Sequence, residues 1–295
     1  MIDRYTIRYF LAVIDHGNFS RAAAHCHVSQ PTLSVGILKL ERHLGHTLFQ
    51  RTNRRVELTV AGARFAVHAR RVEAEFNQAE RSVREVAAQI TIRVGILSTI
   101  PTRWHEALVG ALRPTLPTER VEFVEARERD ILDQLGRGRT DIALTIVGSD
   151  NDRFLAEPLF TERYALAMSL DHPLASEQTV EAESLADNVM IVRRNCEGLA
   201  ATSRHFTAHG VRPFFAAKTT NDDRALALVR SGLGITVMPR SFMRPDIAMP
   251  LLAGFALTRT VGLLLAPHVD AAEMRATSAY GAIAGCVRQL SMAIR

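Results

Sequence analysis

The sequence is poor in cysteine and in long apolar runs. Its three cysteines, Cys26, Cys196 and Cys286, are too few for a disulfide framework and too far apart for a zinc knuckle. No run of about 18 apolar residues is free of charge, which argues against a membrane-spanning helix. Residues 1–20 alternate polar with apolar side chains instead of forming a secretory signal. We therefore expect a reduced, cytoplasmic protein with no membrane partner.

The length and composition predict a folded chain of several domains. Its 295 residues are 47% hydrophobic and 23% charged, so the chain can bury a sizeable core. At about 100 to 200 residues per domain, two or three domains are expected.

The net charge of +5 is confined to the first third of the chain. Residues 1–90 contain 13 Lys and Arg against 8 Asp and Glu, whereas residues 91–295 contain 23 of each. Basic side chains that neutralise phosphates supply most of the nonspecific affinity for nucleic acid. The charge distribution therefore favours a DNA-binding front module joined to an electrically balanced globule.

Three short helices are predicted in the first 44 residues. A helical apolar stripe ends at Gly17 and Asn18, a second helix at residues 21–26 is capped by Ser20, and a third is capped by Ser29 or Gln30. Pro31 suits the first turn of the third helix. The apolar stripes of the first and third helices are Ile7, Phe10, Leu11 and Ile14, and Leu33, Ile37, Leu40 and Leu44. This is the pattern of a helix-turn-helix at about residues 18–37.

Side chains near the start of the third helix and off its apolar stripe are candidates for contacting DNA bases. A glutamine can bond an adenine edge, and Thr, Pro or Val can contact a thymine methyl group. The alternative is that these residues only cap and solvate a surface helix. The candidates on this helix are Ser29, Gln30, Pro31, Thr32, Ser34, Val35 and Lys39.

Two short strands, residues 48–51 and 56–59, are predicted to form a hairpin wing after the third helix. Arg51, Arg54 and Arg55 would lie along the phosphates or in a minor groove. A charged hairpin tip can also be an ordinary solvated turn.

This N-terminal pattern resembles that of LysR-type transcriptional regulators. The residues that carry the resemblance are Phe10, Val13, Gly17, Phe19, Ala22, Ala23, the run from Val28 to Ser34, Leu40, Glu41, Leu44, Gly45, Leu48, Phe49, Arg51, Leu58, Thr59 and Gly62. The resemblance implies a winged helix-turn-helix at residues 1–60, a dimerising linker helix, and a two-lobed effector-binding domain related to periplasmic binding proteins. It also implies a homodimer or homotetramer, and contact with RNA polymerase. Val35, Gly36 and Leu38 depart from the family by replacing residues that are often polar or basic, which leaves more of the recognition to DNA shape.

The linker, residues 61–89, is predicted to be a long helix that dimerises. Its apolar residues are spaced by four and three, as in a two-stranded coiled coil. The stripe could instead pack on the chain's own globule. Its members are Phe65, Ala69, Val72, Phe76, Ala79, Val83 and Val86.

Residues 90–295 alternate strand-like and helix-like segments, the signature of an α/β domain. We expect lobe I at about residues 90–161 and 266–295 and lobe II at about residues 162–265. The chain would cross between them near residues 161–163 and return near residues 264–267. The predicted strands are 91–97, 121–125, 141–146, 164–168, 189–192, 214–218, 235–238 and 261–265, and the predicted helices are 104–112, 130–135, 199–209, 222–231 and 271–294.

Polar residues follow several of these strands, where α/β sheets bind ligands. Hydroxyls, amides and an arginine near helix N-termini suit a small organic acid effector, although ordinary helix capping is the alternative. The candidates are Ser98, Thr99, Thr145, Arg193, Asn195, Cys196, Thr219, Thr220 and Asn221.

Cys196 also suggests a redox-responsive regulator, because it stands where the resemblance places the reactive cysteine of peroxide sensors. His205 occupies the position of the resolving cysteine. His205 and His209 lack a third metal ligand, and no nucleophile motif or cofactor fingerprint occurs, so we expect no metal, no cofactor and no enzymatic activity. A solute-binding protein without DNA function is the remaining alternative.

Overall fold

A computed structural model describes residues 2–51, 56–84, 91–116, 118–148 and 153–292. The chain divides into two compact units, Met1–Ala88 with Gly136–Arg139, and Gln89–Leu135 with Thr140–Arg295. Within the described ranges, no helix is long and apolar enough to cross a membrane.

The first unit is helical with one small hairpin. In chain order its elements are α1 (Arg4–His16), α2 (Phe19–His25), α3 (Gln30–Leu44), β1 (Phe49–Arg51), β2 (Val56–Leu58) and α4 (Val60–Arg84). The strands β1 and β2 pair antiparallel, with Phe49 opposite Leu58.

Short polar residues fix where the first two helices begin. The Asp3 carboxylate accepts the Thr6 N–H at 2.8 Å and starts α1, which ends at Gly17 with a φ of 60°. Asn18 caps α2 by accepting the N–H groups of Ser20 and Arg21. The predicted cap Ser20 therefore lies inside α2, because Asn18, two residues earlier, supplies the acceptor.

The core of this unit is built on the predicted apolar stripes. Leu33, Ile37 and Leu40 are buried. The Phe10 ring lies 5.2 Å from Phe49 and 5.0 Å from Phe65, measured between ring centroids. The helix α4 is thus held against the same core as the wing.

The start of α4 depends on a close backbone approach. The Thr59 hydroxyl accepts the N–H of Gly62 at 2.9 Å and caps the helix. A Cβ on Gly62 would clash with the carbonyl oxygen of Leu48, so this position requires glycine.

The second unit alternates strands and helices. In chain order its elements are β3 (Thr91–Leu97), α5 (Thr102–Leu112), β4 (Arg120–Ala126), α6 (Glu128–Gly136), β5 (Ile142–Ile146), β6 (Leu155–Ala167), β7 (Thr179–Val180), β8 (Val189–Arg193), α7 (Leu199–Ala208), β9 (Phe214–Thr219), α8 (Asp222–Arg230), β10 (Thr236–Pro239), β11 (Leu251–Leu252), β12 (Thr258–Leu265), α9 (Ala271–Ala276) and α10 (Ser278–Met292).

Two long strands, β6 and β12, run through both lobes of this unit. The main sheet has the order β10-β6-β12-β5-β3-β4, with β3 parallel to β4 and β5, and β12 antiparallel to β5 and β6. Lobe II adds the parallel pair β8-β9, which joins β10 through a bridge from Met190 to Ile235.

The return crossing lies earlier than predicted. Val261–Leu265 already pair with β5 of lobe I, so β12 enters that lobe before residue 264. Thr258, Arg259 and Thr260 pair with Arg163, Glu162 and Thr161. Residues 161–163 of β6 and residues 258–260 of β12 therefore lie side by side.

The predicted C-terminal helix at residues 271–294 is two helices. Thr277 is extended, with a ψ of 143°, and separates α9 from α10. The carboxylate of Glu119 accepts the N–H groups of Ser278 and Ala279 at 2.9 and 2.7 Å. The carboxylate of Glu119, distant in sequence, thus starts a new helix at a point where the local sequence predicts that one helix continues.

Candidate DNA-binding helix and effector site

The start of α3 presents its polar side chains to solvent. Ser29, Gln30, Pro31, Thr32, Val35 and Lys39 are exposed, and Ser34 is half-buried. The hydroxyl of Ser29 accepts the Thr32 N–H at 3.2 Å and lies 2.7 Å from the Thr32 hydroxyl. Ser29, one of the two predicted caps, therefore also orders the side chain of Thr32.

Gln30 is held along the exposed face of α3. Its Nε2 donates to the Ser34 Oγ at 3.1 Å. Val35 beside it is 64% exposed. The helix therefore offers an amide, hydroxyls and a branched apolar group together, the set that can bond adenine edges and contact thymine methyl groups.

Gly36, which departs from the family pattern, is explained by its packing against Tyr9. A Cβ on Gly36 would lie 2.7 Å from the Cδ2 atom of the Tyr9 ring. Glycine in a helix interior costs about 1 kcal/mol relative to alanine. Here it lets α1 approach α3, so glycine at this position has a structural role.

The wing is only partly described. The strands β1 and β2 confirm the predicted hairpin, but Arg54, Arg55 and the side chain of Arg51 lie outside the described residues.

The apolar residues predicted along α4 fall into a group packed in the core and a group exposed to solvent. Phe65 and Ala69 pack against the core of their own unit, which is the alternative that the spacing left open for them. Val72 and Phe76 are 39% and 43% exposed, and Ala79 is exposed. The side chains of Val83 and Val86 lie outside the described residues.

Arg259 is a buried charged residue at the crossing between the two lobes. Its side chain is 2% exposed, and its Nε donates at 2.8 Å to the carboxylate of Glu162, which is 1% exposed. Glu162 also accepts the N–H and hydroxyl of Ser241 at 2.5 and 3.1 Å. Burying both charges is tolerable because each is paired and hydrogen-bonded.

The same guanidinium reaches both lobes. It donates to the hydroxyl and carbonyl oxygens of Thr99 in lobe I at 3.0 and 3.2 Å. It donates to Glu197 of lobe II at 2.6 Å, and the Tyr164 hydroxyl donates to the same carboxylate oxygen. Arg259 is therefore a bridge between the lobes.

Further polar contacts join the lobes at α5. The backbone N–H and hydroxyl of Thr102 donate to the Asp223 carboxylate at 3.1 and 2.6 Å. Arg103 donates to the carbonyl oxygen of Ser241. Burial lowers the pKa of Arg103, and the nearby cation Arg244 lowers it further.

Arg193, predicted to meet the effector, is already paired in this structure. Its Nε donates to Asp222 at 2.9 Å, and its Nη1 donates to the Val237 carbonyl oxygen at 2.9 Å. Burial alone lowers the pKa of Arg193, but the Asp222 carboxylate more than offsets this, and the net shift is upward. In this structure the charge of Arg193 is therefore already paired with Asp222.

Cys196 is a partly buried thiol beside this pair. The Nη1 of Arg193 lies 3.3 Å from its Sγ. Burial raises the pKa of Cys196, and the lowering effect of Arg193 does not overcome it. A protonated thiol is a poor nucleophile.

The remaining predicted effector residues fall into two groups. Thr145 Oγ1 and Ser98 Oγ are buried without a hydrogen-bond partner in the described part of the chain. Asn221 caps α8 by accepting the Arg224 N–H at 2.7 Å, the Thr219 hydroxyl accepts the Asn221 N–H at 3.1 Å, and Asn195 donates to the carbonyl oxygen of Thr220 at 3.2 Å. Within this second group Asn221 is a helix cap, and the other bonds are local contacts of the loops around it.

Sequence reasoning missed the residues at the centre of the site. Glu162, Tyr164, Glu197, Ser241 and Arg259 come from four separate segments, and none belongs to a motif. Glu162 and Arg259 lie just outside the predicted strands at residues 164–168 and 261–265, so the sequence carried no signal that two charged strand residues would be buried as a pair.

Comparison with known proteins agrees with both units. The family described as bacterial regulatory helix-turn-helix protein, lysR family, matches residues 5–63, and the family described as LysR substrate binding domain matches residues 87–276. A hydrogen peroxide-inducible genes activator from Pectobacterium carotovorum is 31% identical over 240 residues, which cover 79% of this chain and 78% of the relative.

Solved structures of full-length regulators share the fold. A full-length OxyR variant from Pseudomonas aeruginosa is 25% identical, with a TM-score of 0.55 and 98% of both chains covered. HinK, a LysR family transcriptional regulator from the same organism, is 20% identical, with a TM-score of 0.56 and coverage of 98% and 99%. The helix-turn-helix, the two-lobed unit and these matches together show that the chain belongs to the LysR family of DNA-binding transcriptional regulators.

Proposed function

We propose that this regulator reads its promoter through the exposed start of α3 and responds to a small organic acid held between the lobes. The observation that carries the first part is the exposed set on α3, Gln30 with its hydroxyl and apolar neighbours, in the part of the chain that holds the whole net charge of +5. Gln30 and Ser34 contact bases in the major groove, and Ser29 and Thr32 fix the end of the helix near the backbone.

The regulator acts as a dimer joined along α4. Val72, Phe76 and Ala79 form the exposed seam, since Phe65 and Ala69 are used within the chain. Two copies reading two half-sites gain affinity through effective concentration.

The effector is a small carboxylate that binds beside Arg259 and Thr99. Glu197 is one of the two carboxylates that Arg259 holds in this structure, so a carboxylate effector has the right charge to exchange with it. Because Thr99 and Glu197 belong to different lobes, this exchange alters how the lobes are joined.

Ligand exchange explains this site better than thiol oxidation. Burial raises the pKa of Cys196, and His205 stands in the resolving position. The peroxide response named for the Pectobacterium relative is therefore not proposed for this chain.

Nuclease protection of the upstream DNA, with and without candidate acids, tests the proposal. We expect protection of two half-sites about one helical turn or a multiple of it apart, and a change in the footprint with a carboxylate but not with an amine of the same shape. A footprint that no carboxylate alters, or that an amine alters equally, contradicts the effector class while leaving DNA binding intact.

A further inference from the structure

Lobe II contains a cavity of about 950 Å³ between α7 and the strands β8 and β9. Met190, Phe206, Val211 and Val237 line it and belong to the buried core of the lobe. Phe215, which is 47% exposed, also lines it. A cavity of this size with mainly apolar walls is typical of sites for small organic molecules.

Besides Arg193, which is paired with Asp222, three further cations line the same cavity. Arg194, Arg212 and Lys218 are exposed, and within the described residues their side chains make no ion pair or hydrogen bond. Glu197 is the acidic residue of the described lining, and its carboxylate is taken by Arg259 and Tyr164. The cavity therefore combines an apolar interior with an uncompensated positive charge.

The cavity is also connected to the contact between the lobes. Arg193, Cys196 and Glu197 line it. Glu197 accepts from Arg259, which in turn donates to Thr99 of lobe I. A molecule that moves the segment around Glu197 would act on the same bridge as an effector between the lobes.

We propose that this cavity is a second ligand site, which binds a carboxylate carrying an apolar body. The carboxylate pairs with Arg194, Arg212 and Lys218, and the apolar body packs against Phe206, Val211 and their neighbours. The site lies within lobe II, so it does not depend on the interlobe effector proposed above. Each apolar carbon that leaves water adds to affinity, which selects long acids over short ones.

Isothermal titration calorimetry of the full chain without DNA tests the class of ligand. The probes are decanoate, decanol as a neutral body of the same length, and butyrate as an anion with a short body. We expect saturable binding of one decanoate per chain, with decanol and butyrate more than about tenfold weaker. Equal binding of decanol, or uptake of decanoate without saturation, overturns the proposal.

Two pairs of variants locate the site. Ala200 and Ala208 are both exposed on α7, but Ala200 lines the cavity and Ala208 does not. We expect Ala200→Trp to weaken decanoate binding by about tenfold or more and Ala208→Trp to leave it unchanged. The double change Arg212→Gln with Lys218→Gln should weaken decanoate binding several-fold. The control Arg204→Gln changes an exposed arginine of α7 that does not line the cavity, and it should leave decanoate binding unchanged.

A final variant separates this site from the cleft between the lobes. Thr99→Val removes the hydroxyl that Arg259 contacts in lobe I, and it should change the decanoate affinity far less than Ala200→Trp does. If Thr99→Val abolishes binding and Ala200→Trp does not, the carboxylate occupies the interlobe cleft. That result overturns the second site and supports the effector proposed above.

Discussion

At the start of α3 the polar side chains are exposed and bond mainly to their own helix turn. At the crossing between the lobes of the effector unit, Arg259 and Glu162 are buried, and their bonds join residues far apart in sequence. Gln30 contacts Ser34, four residues away. Arg259 contacts Glu162 and Thr99, which are 97 and 160 residues away.

The difference matches two kinds of recognition. A surface that reads DNA needs donors and acceptors that stay accessible, and little rearrangement on binding. A site that responds to an effector needs an existing contact that a ligand can replace, because a ligand shifts an equilibrium only through different contacts in the two states. The contact of Arg259 with Glu197 is such an existing contact in our proposal, whereas reading DNA through α3 requires none.

The largest expected effect comes from breaking the buried bridge. Arg259→Leu leaves Glu162 buried without its cation, and removing one partner of a buried pair costs about 3–5 kcal/mol. We expect a loss of that size in the free energy of unfolding of the effector unit, measured by urea titration. As a control, Arg288→Leu breaks an ion pair with Glu157 whose arginine is 50% exposed, and it should cost less than about 1 kcal/mol. Equal losses in the two variants would contradict the special role of Arg259.

The seam on α4 gives the next largest effect. Phe76→Glu removes an apolar side chain from each chain of the dimer and adds like charges, so we expect dimerisation to weaken by about 3 kcal/mol, or roughly 150-fold. Analytical ultracentrifugation measures this. Val67 is also an apolar residue on α4, is 54% exposed and lies off the seam, so Val67→Glu should leave the dimer intact. A dimer that survives Phe76→Glu would place the interface elsewhere.

A smaller effect is expected on α3. Gln30→Ala removes the side chain that we propose contacts a base, and it should cost about 1–3 kcal/mol in affinity for the operator, with little change for random DNA. Gln289→Ala, an exposed glutamine of the effector unit, serves as the control. If Gln30→Ala weakens operator and random DNA equally, the side chain does not read bases.

The smallest effect concerns the thiol. Because burial raises the pKa of Cys196, the thiol stays protonated at neutral pH and gains reactivity only as the pH rises through that value. We expect Cys196 to react with iodoacetamide more slowly than free cysteine at pH 7, and Cys196→Ser to leave regulation unchanged. Rapid alkylation at neutral pH would restore the redox interpretation.

The same contrast explains what the sequence could predict. The helix α3 follows from local rules, since Ser29 caps it, Pro31 fits its first turn, and Leu33, Ile37 and Leu40 recur at helical spacing. The strand β3 was predicted at residues 91–97, the bounds that it has in the structure.

Features that depend on distant partners were missed or misplaced. The break between α9 and α10 at Thr277 depends on the distant Glu119. The first half of β6 was not predicted as a strand, because Glu157 and Pro158 interrupt its apolar pattern. The pairing of Glu162 with Arg259 appears only when β6 and β12 lie together. Local propensity carries no information about which buried charges will meet.

The affinity of the full-length protein for its own upstream DNA, compared with a random duplex by fluorescence anisotropy at several salt concentrations, bears most directly on the role of α3. We predict a preference of about 10³-fold or more for the upstream DNA, with the logarithm of each affinity falling linearly as the logarithm of salt rises. Equal affinity for the two duplexes at every salt concentration would contradict the reading of bases by this helix.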